Sequence, residues 1–255
     1  MDPAKRGRHA GSPGRGCSHA AQAAADCTPA ASPGVCRGWC KTGVMDVADV
    51  PSRSDLRRTA PAPLARFTDA MDRAVAASDD PATLAAQAAV ELADLLAHPE
   101  AIGAEHRVSS DDTYCQHVVH VHPQGRYSLV ALVWQKGQAT PIHDHRCWCV
   151  VGVLEGEEEE RRYHLVEHVG EPALLLTGTE RHGQGDISTL VPPEENIHLV
   201  RNSAGELTVS LHVYGDDIAR CGSSINHVFD AGLVRTDLSD DQISGARSRS
   251  WRRGH

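Results

Sequence analysis

Gly137-Gln-Ala-Thr-Pro-Ile-His143-Asp-His145-Arg-Cys147-Trp-Cys149-Val-Val-Gly-Val-Leu-Glu-Gly156 decides the fold. A Gly/Pro-punctuated turn leads into His143-Asp144-His145, and an apolar run follows. On a strand, residues i and i+2 point to one face. The two imidazoles therefore stand side by side, about 6.6 Å apart at Cα for a rise of ~3.3 Å per residue. That spacing suits two bonds of ~2.1 Å to a single ion. Asp144 falls on the opposite face, which disfavours a two-histidine, one-carboxylate set built on it.

Working outward, the segments around this stretch read as short strands. They are Val118 to Val121, Tyr127 to Trp134, Arg161 to Glu167, Pro172 to Leu176, Ile187 to Val191, Ile197 to Val200, Leu207 to Tyr214 and Asn226 to Phe229. Turn signals recur between them, which argues a mainly β fold, a small antiparallel barrel or jelly roll. Glu157-Glu158-Glu159-Glu160 reads as a solvated strand start or turn, and His117, His120 and His122 as a solvated surface cluster. Upstream, residues 64–98 read as helices packed outside the sheet. Leu64, Phe67, Met71 and Val75 share one face, and Leu84, Ala88, Leu92, Leu95 and Leu96 another. Asp80 is the expected N-cap of the second helix, with Pro81 at its first position.

The ends differ in composition. Residues 1–60 are rich in Ala, Gly, Pro, Ser and Arg without apolar period and read as a disordered extension, with Met45 a plausible alternative start. Residues 61–240 form the expected domain, and 241–255 a disordered basic tail. The first 45 residues hold six of the 25 Lys/Arg and two of the 34 Asp/Glu, leaving 19 basic and 32 acidic residues downstream. A folded part this acidic argues against nucleic-acid binding. No apolar run approaches the ~18 residues of a membrane span. No basic-then-apolar leader opens the chain, so the eight cysteines point to thiols in a reducing cytoplasm. Cys36 and Cys40 lack a partner pair at zinc-binding spacing. His143, His145, Cys147 and Cys149 share parity but span about 20 Å at ~3.3 Å per residue, too far for one tetrahedral ion without a sharp bend.

A third ligand is needed. His198 follows the turn Pro192-Pro-Glu-Glu-Asn and opens a strand that an antiparallel barrel can lay beside His143 and His145. Ser210, His212 and Tyr214, at i, i+2 and i+4, share another face.

These residues carry a resemblance. Gly137-x5-His143-x-His145-x3-Cys149-x6-Gly156 resembles the first cupin motif, with cysteine in place of its usual glutamate. Gly185 to Pro192 through His198-x3-Asn202 resembles the second. Ser210-Leu-His212-Val-Tyr214 resembles the triad of the cysteine dioxygenase family, and Tyr114-x-Gln116-His117 falls where that family holds its substrate carboxylate. The resemblance implies a cupin double-stranded β-helix with a mononuclear non-haem Fe(II) on His143, His145 and His198. Its implied reaction takes a small thiol and O2 to a sulfinic acid. It also implies that Ser210, His212 and Tyr214 serve the chemistry, that Tyr114 and Gln116 serve the substrate, and that Cys149 and Tyr214 can join in a thioether. Cysteine-selective members are similar in carrying arginine where Gln116 stands. Members with glutamine favour 3-mercaptopropionate, so Gln116 and Cys149 point to different substrates. Arg126 or Arg220 could supply a cation for the carboxylate. The alternatives are a metal-binding cupin sensor without turnover, or another cupin enzyme. The expected state is a monomer or weak homo-oligomer.

Overall fold

A computed structural model describes residues 60–193, 196–203 and 205–236. The segments expected to be disordered, with Cys36 and Cys40, lie outside these residues apart from Ala60.

Among the described residues two helices come first, α1 (Ala62–Ala77) and α2 (Pro81–Leu96). Asp80 caps α2 as expected: its carboxylate accepts the Thr83 N–H at 2.8 Å and the Thr83 hydroxyl at 2.6 Å. Eleven strands follow. They are β1 (Cys115–Val121), β2 (Ser128–Trp134), β3 (Ile142–His145), β4 (Cys149–Glu155), β5 (Glu157–His168), β6 (Glu171–Gly183), β7 (Ile187–Leu190), β8 (Ile197–Arg201), β9 (Thr208–Tyr214), β10 (Ile225–Phe229) and β11 (Val234–Arg235). A one-turn helix, α3 (Ile218–Cys221), lies between β9 and β10.

One sheet runs β1-β2-β9-β4-β7 and the other β10-β3-β8-β5-β6-β11. Apart from the β5–β6 hairpin, consecutive strands from β2 to β10 thus alternate between sheets, the winding of a cupin double-stranded β-helix. Side-chain parity sorts the two faces of the first sheet. Leu129, Ala131 and Val133 of β2, Val150 and Leu154 of β4, and Val209, Leu211 and Val213 of β9 pack with the helices. The intervening Val130, Leu132, Trp134, Cys149, Val151 and Tyr214 belong to a second cluster. β2 is buried along its whole length because helices cover one face and the barrel interior the other. Gly152 marks the closest approach of α2. A Cβ there would lie 2.7 Å from Leu96 Cδ1 and 2.9 Å from Leu92 Cδ2, so a side chain would force Leu92 and Leu96 to repack.

Three expectations need correction. The segments 161–167 and 172–176 are parts of one long hairpin, β5 and β6, paired from Glu157↔Gly183 to His168↔Glu171. Its tip, Val169-Gly170, has both residues at positive φ (52° and 83°), which lets the hairpin close in two residues. Secondly, Glu158 and Glu160 are buried rather than solvated, and Glu159 lies under the Arg161 and Arg201 guanidinium groups on the other face.

Thirdly, β1 begins at Cys115 rather than Val118, and His117, His120 and His122 are buried. A register shift between Val118 and His120 breaks the alternation. His117 Nε2 meets Val108 O at 2.7 Å, and His122 Nδ1 faces the Gln124 and Arg126 N–H groups. His120 packs against Tyr127, and neither of its ring nitrogens has a partner among the described residues.

Burial lowers the His120 pKa to about 4. A depressed histidine contributes stability above its unfolded pKa and loses it as pH falls through the folded one, because only the unfolded ring gains the proton. The loss between pH 6.5 and 4 is on the order of 3 kcal/mol, at ~1.4 kcal/mol per unit. His120→Leu is therefore expected to flatten the acid limb of urea-midpoint stability measured against pH. An unchanged slope would assign the acid sensitivity elsewhere.

Candidate metal centre and cavity

β3 is only four residues long, but it is fixed on both sides. His143 pairs with His198 of β8, and His145 and His143 pair with Ile225 and Val228 of β10. Parity turns His143, His145 and His198 into the barrel, each at most 4% exposed. Asp144 points the other way and accepts the His227 N–H at 2.6 Å.

The Nε2 atoms of the three rings converge: 3.0 Å between His143 and His145, 3.0 Å between His145 and His198, and 3.2 Å between His198 and His143. The far sides of the rings fix their protons. His143 Nδ1–H donates to Pro141 O at 2.9 Å, and His198 Nδ1–H donates to Glu160 Oε1 at 2.7 Å. Their Nε2 atoms are then bare lone pairs. His145 Nδ1 lies 3.5 Å from Ser224 Oγ. One shared proton could satisfy at most part of this cluster, whereas a cation at its centre satisfies all of it. Burial and the neighbouring imidazoles push the pKa of His143 down to about 3 and that of His145 well below 6.5. These two rings stay neutral, as ligands must.

Glu160 is the residue that sequence reasoning missed. Its second oxygen, Oε2, accepts from Ser188 Oγ at 2.8 Å, Arg162 at 3.2 Å and His182 at 3.2 Å. Burial would raise this carboxyl, but the hydrogen bonds from His182 and His198 and the Arg162 charge hold it far below the usual range. Glu160, Glu180 and His182 are the other described group close enough to share an ion. There the Arg162 guanidinium already occupies the shared oxygen.

The β9 triad lies in the same interior. Trp134 Nε1–H donates to Ser210 Oγ at 3.1 Å, Ser210 Oγ lies 3.0 Å from His212 Nε2, and His212 Nδ1 lies 3.0 Å from the Tyr214 hydroxyl. The Ser224 hydroxyl also bonds Tyr214. Burial lowers His212 to about 3 and raises Tyr214 well above 10. The Tyr214 ring stands 6.0 Å from that of His145.

The three histidines, His212 and Tyr214 line a small, partly open cavity. Tyr114, stacked on Trp134 at 4.5 Å, and Gln116 also line it. His117 does not, since its ring faces Val108. Arg126 is engaged with Asp79 and Arg220 with Asp217, and neither reaches the cavity. Among the described residues, no Lys, Arg, Asp or Glu lines it. Cys149 is buried opposite Tyr214 in the register, with its thiol bonded to that side chain. Cys147 lies beside Asp216 and Gly215, away from the histidines, so the Cys-containing zinc set does not assemble.

A buried group of three convergent imidazoles inside a double-stranded β-helix defines a cupin metal centre. The family model for cysteine dioxygenase type I matches residues 84–224, more than half of the chain, and the chain belongs to that family. The family is metal-dependent, and its members are cupin thiol dioxygenases. Similar solved structures include an uncharacterized conserved protein with a double-stranded beta-helix domain from Klebsiella pneumoniae: 19% identity, 44% of this chain and 80% of that one, TM-score 0.36. An RmlC-like cupin from Desulfovibrio desulfuricans is 20% identical over 42% of this chain and 88% of that one, TM-score 0.29. A Cupin 2 conserved barrel protein from Salinispora arenicola is 16% identical over 48% and 92%, TM-score 0.33.

Proposed function

We propose that this chain is a non-haem Fe(II) thiol dioxygenase that uses O2 to convert a small mercapto acid to its sulfinate. The observation that carries the reading is the convergence of three Nε2 atoms at 3.0–3.2 Å. Three bonds of ~2.1 Å at right angles require about 3.0 Å between nitrogens, and tetrahedral bonds about 3.4 Å. Spacings of 3.0–3.2 Å let all three nitrogens reach one ion. A ferrous ion held by His143, His145 and His198 would supply neighbouring open positions for a thiolate and O2. Three neutral ligands leave its charge uncompensated, which favours an anionic sulfur.

The protein's own groups do the rest. Tyr214, held by His212 and Ser210, places a hydroxyl at the cavity for proton transfer. That wired hydroxyl argues against a sensor without turnover, which has no use for one. Tyr114 and Gln116 offer neutral hydrogen bonds to the carboxylate. All of these groups come from a single chain, which suits a monomer or weak homo-oligomer. No helix of the described residues is long and apolar enough to cross a membrane. Cys115, Cys147, Cys149 and Cys221 are all thiols, which supports a reducing compartment, the cytoplasm.

The cavity lining favours 3-mercaptopropionate over L-cysteine. Among the described residues no acidic side chain lines the cavity to pair with the ammonium of cysteine. An unmatched charged group costs about 1.5–3 kcal/mol, so kcat/KM is expected to be at least ~10-fold higher for 3-mercaptopropionate. Oxygen uptake with 3-mercaptopropionate, L-cysteine and cysteamine tests this, and Gln116→Arg should narrow the gap. An unchanged ratio removes Gln116 from the specificity argument.

Cys149 favours the L-cysteine reading, because it stands where animal-type cysteine dioxygenases form the thioether. Joining the Cys149 sulfur to the Tyr214 ring removes two hydrogens, with O2 as oxidant. After turnover, the denatured chain should weigh about 2 Da less, unaffected by reductant. A full-mass chain after extended turnover would discard the cross-link.

A further inference from the structure

Two acids of β5 face the same interior but have opposite surroundings. Glu160 receives hydrogen bonds from His198, His182, Arg162 and Ser188. Glu158, 2% exposed, is bonded to Ser210, and its Oε2 has no partner among the described residues. An ionised carboxylate needs several donors, and Glu158 has one. Burial accordingly raises its pKa to about 7, against the Ser210 hydrogen bond. The titratable and charged groups around it are Glu160 on its own strand, which raises its pKa further, and His182, opposite on β6, which lowers it. His212 lies beyond Ser210 on β9, and Arg162 reaches this cluster through Glu160. Paired carboxyls in such unlike settings are the usual way one fold keeps one acid ionised and another protonated.

The hydrogen-bond inventory of Ser210 turns this contrast into a device. A serine hydroxyl has one proton to donate and two lone pairs. Trp134 Nε1–H can only donate, so it takes one lone pair. Of the remaining neighbours, Glu158 and His212 Nε2, one must donate to Ser210 and the other accept from it. With Glu158 ionised, Ser210 donates to the carboxylate, His212 Nε2–H donates to Ser210, and Tyr214 donates its proton to His212 Nδ1. With Glu158 protonated, every bond reverses. Glu158 donates to Ser210, Ser210 to His212 Nε2, and His212 Nδ1–H to the tyrosine oxygen. The phenolic proton is then released from His212 to the cavity side, where Ser224 also stands.

We propose that Glu158 is the proton reservoir of the Tyr214 relay and sets its direction through Ser210 and His212. This rests on the dioxygenase reading of the same cavity. When Tyr214 gives its proton to the reacting sulfur–oxygen centre, three transfers restore it: Nδ1 of His212 to the phenolate, Ser210 to Nε2, and Glu158 to Ser210. One proton moves in total, no electrons move, and the carboxyl ends ionised. Glu158 touches no substrate and acts as a positioning residue.

Infrared difference spectra of the metal-free protein test the wiring without turnover. A protonated-carboxyl band should titrate near pH 7 and vanish in Glu158→Gln. The C–O band of ring-labelled tyrosine, assigned through Tyr214→Phe, should shift with the same midpoint. Ser210→Ala keeps the carboxyl band and uncouples the tyrosine band from it. In the iron-loaded enzyme, Glu158→Gln should lower kcat about 10-fold with KM within twofold, and remove the pH limb that tracks the carboxyl. No titrating carboxyl band, a band that survives Glu158→Gln, or a tyrosine band that ignores it overturns the relay. Absence of thiol oxidation by the wild-type protein instead overturns the dioxygenase reading and leaves the infrared result to stand or fall alone.

Discussion

His198→Ala is expected to yield a folded protein that holds no iron after desalting and shows no oxygen uptake with any thiol. His198 belongs to one sheet strand, while His143 and His145 belong to the next. Two imidazoles at i and i+2 remain, and a two-ligand site on flexible ring torsions lacks the third bond that fixes an ion. The fold survives because Glu160, which loses His198, keeps Arg162, His182 and Ser188. One lost hydrogen bond to a buried charge costs about 1.5–3 kcal/mol, short of a typical domain's total. Metal content by mass spectrometry and thermal melting of the same sample separate loss of the site from loss of the fold. Retained iron at one equivalent with normal turnover would remove His198 from the ligand set. The milder Glu160→Gln leaves all three rings in place but weakens the hold on His198, a change worth about 10–100-fold in metal affinity.

Tyr214→Phe is the second large effect. It removes one oxygen and leaves the ring over His145. The His212 Nδ1 contact at 3.0 Å is lost and the metal ligands are untouched. Positioned proton transfer contributes about 10²–10⁴-fold, so kcat should fall by at least ~10²-fold with KM for the thiol nearly unchanged. The variant also cannot form the Cys149 thioether, so Cys149→Ser is the control. It keeps the hydroxyl and should lose far less activity. If Cys149→Ser and Tyr214→Phe lose the same amount, the cross-link rather than the proton is what Tyr214 supplies.

Much of the site was legible because it rests on period-two parity. His143 and His145, then Ser210, His212 and Tyr214, are read as shared faces from spacing alone, and the barrel places those faces inward. Parity failed where the backbone departs from it. The register shift at Val118/His120 turns His120 and His122 under α1, where Asp72 lies. A histidine cluster that looks solvated is thereby buried. The Glu157–Glu160 run failed for another reason. Four consecutive acids look solvated because burying a carboxylate needs partners. For Glu160 these are His198, His182 and Ser188, distant in sequence and visible only once β5 lies between β6 and β8. Ser224, which contacts both Tyr214 and His145, comes from the loop before β10 and carries no local signal. The reach of Arg126 and Arg220 was likewise unreadable, since the acids that hold them, Asp79 and Asp217, decide it.

The central claim is that three imidazoles hold one ferrous ion where a thiol and O2 meet. Anaerobic reconstitution followed by turnover with 3-mercaptopropionate under isotopically labelled O2 addresses it most directly. The account predicts one iron per chain, one O2 consumed per thiol, and both oxygen atoms of the sulfinate carrying the label. Thiol lost only as disulfide, or a sulfinate whose oxygens come from water, would contradict it.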